Sequence, residues 1–149
     1  MKKYLLLLLI FNSCSNNDEK VESGILIANI RGFIDFQTAD EKEINNFIER
    51  IDSLSKKNND SELKSSSNYY HNLLKHNLIR TPSIYLTKID NSRLHVFINN
   101  DQYRKIEKYD YLGSSQDYRI NIKLKYKKID DDLFLSDSII EVNVQKLKK

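Results

Sequence analysis

Three histidines, several grouped carboxylates and a run of tyrosines are the side chains of this 149-residue chain best suited to chemistry. His71 and His76 are five positions apart. On a helix that spacing separates them by about 140°, so one metal ion does not reach both. A helical zinc site needs four-residue spacing with a glutamate between. His95 alternates with Arg93 and Phe97, which places all three on one face of a strand. There it can serve as a base or as a partner contact.

Serine nucleophiles need a strained turn, a base and an oxyanion hole. The only glycines are Gly24, Gly32 and Gly113, and none lies in a G-x-S-x-G elbow. Gly113-Ser114-Ser115 lacks the second glycine. There is no phosphate loop, no dinucleotide fingerprint and no Cys/His zinc spacing. Asp130-Asp131-Asp132 lacks the fixed oxygen pattern of an EF-hand loop and reads as a solvated turn. The expectation is therefore no catalytic residue, no metal ligand and no cofactor legible in local pattern. Carboxylate pairs obey no local spacing rule, so a hydrolase using dispersed acids stays open.

Tyr103, Tyr109, Tyr111 and Tyr118 fall within sixteen residues, interleaved with Arg104, Lys105, Lys108 and Arg119. Tyrosine presents a large apolar face and one hydroxyl at low entropy cost, which suits protein or glycan contacts. Tyr109, Tyr111 and Tyr118, with Arg93 and His95, are the candidate partner-binding residues. Lys123, Lys125 and Lys127 alternate along a strand and read as a solvated face before an anion site.

The elements that position these residues follow from hydrophobic spacing. Ile25, Leu26, Ile27, Ala28 and Ile30 form a near-continuous apolar run, which predicts a central strand covered on both sides. Arg31-Gly32 interrupts it before Phe33-Ile34-Asp35-Phe36. Thr38-Ala39-Asp40-Glu41 fits a capping box, and Ile44, Phe47, Ile48, Ile51 and Leu54 follow at helical spacing to about Lys57. Asp60 can cap a second helix whose face is Leu63, Ser67, Tyr70, Leu74 and Leu78. Thr81-Pro82 ends the helical region. Two alternating runs around Asp90-Asn91-Ser92 predict a hairpin. Asn99 can cap a short helix with Tyr103 and Ile106 inward. A second hairpin turns at Asp130-Asp131-Asp132, with Val142 and Val144 inward on its returning strand.

The order is strand, helix, helix, strand, strand, short helix, strand, strand. It predicts an α+β domain: an antiparallel-rich sheet of about five strands with two main helices. The split βαβ plan of ferredoxin-like folds fits this order if the second helix and last strand are set aside. A curved antiparallel sheet wrapped on the two long helices is the alternative.

The start of the chain supplies an address. Lys2 and Lys3 precede an unbroken apolar run, Leu5 to Phe11, followed by Asn12, Ser13 and the lone cysteine, Cys14. The run is too short to span a bilayer and reads as a secretory signal. Phe11-Asn12-Ser13-Cys14 resembles the box of bacterial lipoprotein signal peptides. Ser13 and Cys14 carry the resemblance, whereas the family usually has Leu and then Ala or Ser at the first two positions. The resemblance implies cleavage before Cys14 and lipid, including palmitate, on that cysteine. Ser15 resembles the outer-membrane sorting pattern, and Asp18-Glu19 the acidic export signal of Bacteroidota lipoproteins. The expected divisions are a signal peptide over 1–13, a lipidated cysteine and flexible tether over 14–23, and one domain over 24–149.

With the signal removed, 24 basic residues fall to 22 against 21 acidic ones, so the pI of 8.8 overstates the basic excess. Such a balance argues against nucleic acid as a partner. Together these readings lead to a lipid-anchored envelope protein on the outer membrane, periplasmic or surface-facing, with a non-catalytic domain binding a protein or glycan. The alternatives are a small envelope hydrolase and an immunity or inhibitor lipoprotein against a secreted toxin.

Overall fold

The computed structural model describes residues 19–31, 38–109 and 117–148. Cys14 and the signal segment, Gly32 to Phe36, Tyr111 and Gly113 lie outside the described residues. The chain runs β1 (Lys20–Ile30), α1 (Glu41–Asn58), α2 (Ser61–Lys75), β2 (Ser83–Lys88), β3 (Arg93–Phe97), α3 (Asn100–Ile106), β4 (Tyr118–Asp130) and β5 (Leu133–Lys146). A single 3₁₀ turn, Glu107–Tyr109, extends α3. The class is α+β, and the order of elements follows the sequence pattern. No described helix is long and apolar enough to cross a membrane.

The five strands close into a barrel in the order β1-β2-β3-β5-β4. Four neighbouring pairs are antiparallel and one, β3 with β5, is parallel. The sheet is therefore mixed. That parallel seam is short, with Phe97 opposite Leu135. A split βαβ plan would set β1 and β2 parallel on either side of a crossover helix, but they pair antiparallel, from Gly24↔Lys88 to Ile30↔Ser83. The ferredoxin-like variant is not formed. Connectivity, closure and the helix between β3 and β4 follow the plan of the OB-type Greek-key barrel, with a two-helix insertion between β1 and β2.

β1 makes the closure possible because it serves two neighbours. Its first half pairs with β4 over Lys20–Ile25, and its second half with β2 from Gly24 onward. At the handover the backbones crowd. A Cβ added at Gly24 would lie 2.9 Å from Leu86 Cβ and 3.0 Å from the Thr87 carbonyl oxygen. Glycine is the residue that permits that approach. The barrel also corrects the reading of β1 as covered on both sides. Leu26 faces the interior, whereas Ile27 is 41% exposed on the outer surface. β1 starts at Lys20, so four residues expected in the tether belong to the barrel.

Two cores result. Leu26, Ile84, Leu86, Leu94, Val96, Ile120, Ile122 and Leu124 fill the barrel, with Ile106 of α3 among them. Asn29 Nδ2 donates to the Ile106 carbonyl at 3.1 Å, tying α3 to β1. The second core lies under the helical hairpin: Ile44, Ile48 and Leu73 with Leu78, Ile79, Phe97 and Leu133. β3 serves both by alternation, Leu94 and Val96 inward and Phe97 outward.

Caps set the helix starts. Asp40, not Thr38, caps α1: its carboxylate accepts from the Glu43 amide at 2.8 Å, and Glu43 accepts from the Asp40 amide at 2.9 Å. The same four-residue spacing recurs two positions later with the stronger capping residue, worth about 1 kcal/mol. Asp60 caps α2 and Asn99 caps α3, as their positions predict. On α2 the buried positions are Ser67 and Leu73, while Tyr70 and Leu74 are half-buried. The helix is rotated from the predicted face because Leu73 fills the second core.

Candidate functional site

β2 and β3 present an aromatic outer face. Their register sets Tyr85 opposite His95, Thr87 opposite Arg93 and Ser83 opposite Phe97. Inward residues alternate with these, so the outward set is fixed by the burial of Leu86, Leu94 and Val96. Tyr85 stacks on His95 with centroids 4.1 Å apart and planes 2° from parallel. Phe97 leans on the other side of the imidazole, 4.8 Å away at 50°. The Tyr69 hydroxyl of α2 stands 3.5 Å from His95 Nδ1, at the limit of a hydrogen bond.

His95 Nε2 is buried and has no hydrogen-bond partner. Burial pushes the imidazole down to about 4, so the ring is neutral near pH 7. Burial likewise raises the Tyr69 and Tyr85 hydroxyls above the usual phenol range. Both tyrosines are therefore neutral donors at pH 7, and neither is poised as a base. Arg93 is exposed beside this group.

An open groove of about 870 Å³ shares Tyr69 with this aromatic cluster. Its walls are α2, through Ser65, Ser66, Tyr69 and Asn72, and the β4–β5 turn, Asp130 to Asp132. Asp132 takes a left-handed φ of 57° in this turn, which aspartate tolerates. One edge of the groove is fastened. Asp130 Oδ2 accepts from Lys75 Nζ at 2.8 Å and contacts His76 Nε2 at 2.8 Å. Lys75 and then His76 hold the Asp130 carboxyl well below the usual range. α2 is thus clasped to the barrel.

A second carboxylate joins the helices to each other. Ser67 donates to Asp52 Oδ1, and His71 Nε2 lies 3.0 Å from Asp52 Oδ2. The Ser67 hydrogen bond, then His71, lowers the Asp52 carboxyl. The residue types are those of a hydrolytic triad but the order is not. A nucleophilic serine needs the imidazole on its own hydroxyl, with the carboxylate behind. Here the carboxylate sits between the other two, so His71 takes no proton from Ser67. The arrangement is a helix–helix brace.

The candidates from the sequence occupy separate places. Arg93 and His95 share the β3 outer face, as alternation predicts. Tyr109 packs against the barrel core, with Lys108 Nζ 4.9 Å from its ring centre. Tyr118 is half-buried at the start of β4, paired with Lys146. Tyr111 lies outside the described residues, and so does Cys14. His71 and His76 go to different carboxylates. No group of three or more His, Cys, Asp or Glu side chains able to hold a metal occurs among the described residues. The lysine ladder is not a row of free cations, because Lys125 Nζ pairs with Glu19 at 2.5 Å. Local reading missed Tyr69 and Tyr85, whose meeting with His95 spans α2, β2 and β3. The available signal was alternation in β2, which puts Tyr85 and Thr87 outward together.

Comparisons with family models, with curated proteins and with solved structures gave no match to this chain.

Proposed function

We propose that this chain is a lipid-anchored protein of the bacterial envelope whose barrel is a binding module for a protein or glycan partner. The observation that carries the binding reading is the Tyr85–His95 stack, with a buried imidazole nitrogen lacking a partner. An unmade hydrogen bond in a buried place costs about 1–3 kcal/mol, and a ligand oxygen accepted there would recover it. When the Tyr69 hydroxyl donates to Nδ1, the neutral ring carries its proton on Nε2 and offers a donor. The groove between α2 and the β4–β5 turn supports the same location by analogy of architecture. In OB-type barrels the face of strands two and three, flanked by the first-to-second and fourth-to-fifth connections, carries ligands. The resemblance of Phe11-Asn12-Ser13-Cys14 to lipoprotein signals supports the anchor and an outer-membrane location.

Two experiments test the proposal. Cells fed a labelled fatty acid should incorporate it into the wild-type chain and not into Cys14→Ala. Label on Cys14→Ala, or none on the wild type, overturns the anchor. For binding, the chain from Cys14 onward is used as bait against envelope extract and against a glycan array. A specific partner lost on Tyr85→Ala or Arg93→Ala, in variants that melt like wild type, supports the site. A partner retained by both variants places binding elsewhere.

A further inference from the structure

The most exposed large apolar side chains among the described residues are Ile89 at 89%, Val21 at 54% and Ile140 at 52%. They come from β1, from the β2–β3 turn and from β5, yet strand register brings them into one band. Val21 lies in the first half of β1, opposite Lys125. Ile89 follows Lys88, the partner of Gly24, and so lies alongside Ser23. Ile140 sits between Ile139 and Glu141, which pair with Leu124 and Lys123, themselves the partners of Glu22 and Ser23. Three inter-strand steps of about 4.8 Å cover the whole band. Lys20 and Lys123 are exposed among the apolar residues, with Glu141 opposite Lys123 and Lys125 paired to Glu19.

This band is also where the chain arrives from Cys14. Glu19 is pinned to Lys125, leaving five residues between Cys14 and the first residue of β1. Fully extended, the path from Cys14 to Glu19 reaches about 17 Å. β1 itself, at eleven residues, is about twice that length. An anchor at Cys14 therefore holds the first half of β1 close to the lipid, nearer than the far end of the barrel.

We infer that the band formed by Val21, Ile89 and Ile140 rests on a phospholipid bilayer, with its apolar side chains at the headgroup boundary and its lysines among the headgroups. The inference depends on the lipid-anchor reading. It assigns the outer surface of β1, β4 and β5 to the membrane, and leaves the β3–β5 seam, where α2 and the groove lie, for a partner. Apolar side chains flanked by lysines suit an interface, because the lysine stems lie along apolar surface while the ammonium stays in water.

The sequence contains no tryptophan and one cysteine, which makes the test direct. The chain from Cys14 onward, holding every described residue, is coupled through the Cys14 thiol to a maleimide-headgroup lipid in phosphatidylethanolamine–phosphatidylglycerol vesicles. Ile89→Trp places a single reporter in the band, and Gln145→Trp places one at an exposed position towards the far end of β5. Coupling should shift Ile89→Trp emission to the blue and make it quenchable by lipids brominated on their acyl chains, with Gln145→Trp unchanged. No shift at Ile89→Trp, or equal shifts at both sites, overturns the inference. Val21→Trp repeats the measurement if Ile89→Trp disturbs the turn. Chemical coupling supplies the anchor whether or not cells attach one, so fatty-acid labelling of Cys14 fails or succeeds separately.

Discussion

The Tyr85 ring lies flat on the His95 imidazole, 4.1 Å away and 2° from parallel, on the outer surface of a closed barrel. Cross-strand register makes the pair, and α2 closes it from above through Tyr69. The imidazole is thereby held between aromatic surfaces and largely shielded from water, with Nε2 its buried atom. Its neutrality is a property of packing, because burial alone lowers it to about 4.

That burial makes stability depend on pH. An unfolded histidine takes its proton near 6.5, whereas folded His95 resists protonation down to about 4. Between those values the unfolded chain binds more protons, so stability falls as the pH falls. The penalty is absent above 6.5 and complete below about 4, amounting to about 3 kcal/mol. Urea unfolding from pH 7 to pH 4 should show a flatter profile for His95→Phe than for wild type. Parallel profiles would contradict the burial of this ring.

Gly24 should tolerate no side chain without loss. The 2.9 Å approach to Leu86 Cβ and the 3.0 Å approach to the Thr87 carbonyl involve atoms with little freedom to move. Gly24→Ala should lower unfolding stability by about 1–3 kcal/mol, and Gly24→Val by more. Equal urea midpoints for Gly24→Ala and wild type would mean that β1 and β2 separate here at no cost.

The two cores should respond separately. Leu73 is fully buried beneath the helical hairpin, and Ile122 is fully buried inside the barrel. Leu73→Ala should cost about 2–5 kcal/mol and release amide protection in α1 and α2 first. Ile122→Ala should reduce protection in every strand. Loss of barrel and hairpin protection together in Leu73→Ala would show one cooperative unit instead.

Ser67 should be inert toward fluorophosphonate probes. Its hydroxyl donates to one oxygen of Asp52, while His71 occupies the other. Mass spectrometry of the treated chain should find Ser67 unmodified. Modification at Ser67 that disappears in His71→Ala would reverse the reading of this group as a brace.

Local pattern carried the elements. Alternation in β2, β3 and β4, helical spacing from Ile44 to Leu54, and capping residues at Asp60 and Asn99 act within a few positions, so local residue order reveals them. The outward placement of Arg93 and His95 followed from the same alternation. The α1 cap was displaced by two residues because two capping patterns overlap there, and the better acceptor, Asp40, prevailed.

Tertiary structure decided closure, and with it the site. β1 pairs with both β2 and β4 because Gly24 lets the backbones approach at the handover. That contact is set by three-dimensional crowding, which no periodicity encodes. The parallel seam at Phe97 and Leu135 joins residues 38 positions apart. Closure then turns half of an apolar strand outward, leaving Ile27 on the surface of what reads as a buried run. Docking of the helical hairpin on the barrel brings Tyr69, Tyr85 and His95 from three elements to one place and gives Asp130 its histidine partner, while packing of α1 on α2 pairs Asp52 with His71. Such pairings depend on which surfaces meet, and the energy that selects them comes from burying Leu73, Phe97 and Leu133 together. Sequence spacing describes each face alone; the faces acquire partners only when the barrel and the hairpin bury their apolar surface against each other.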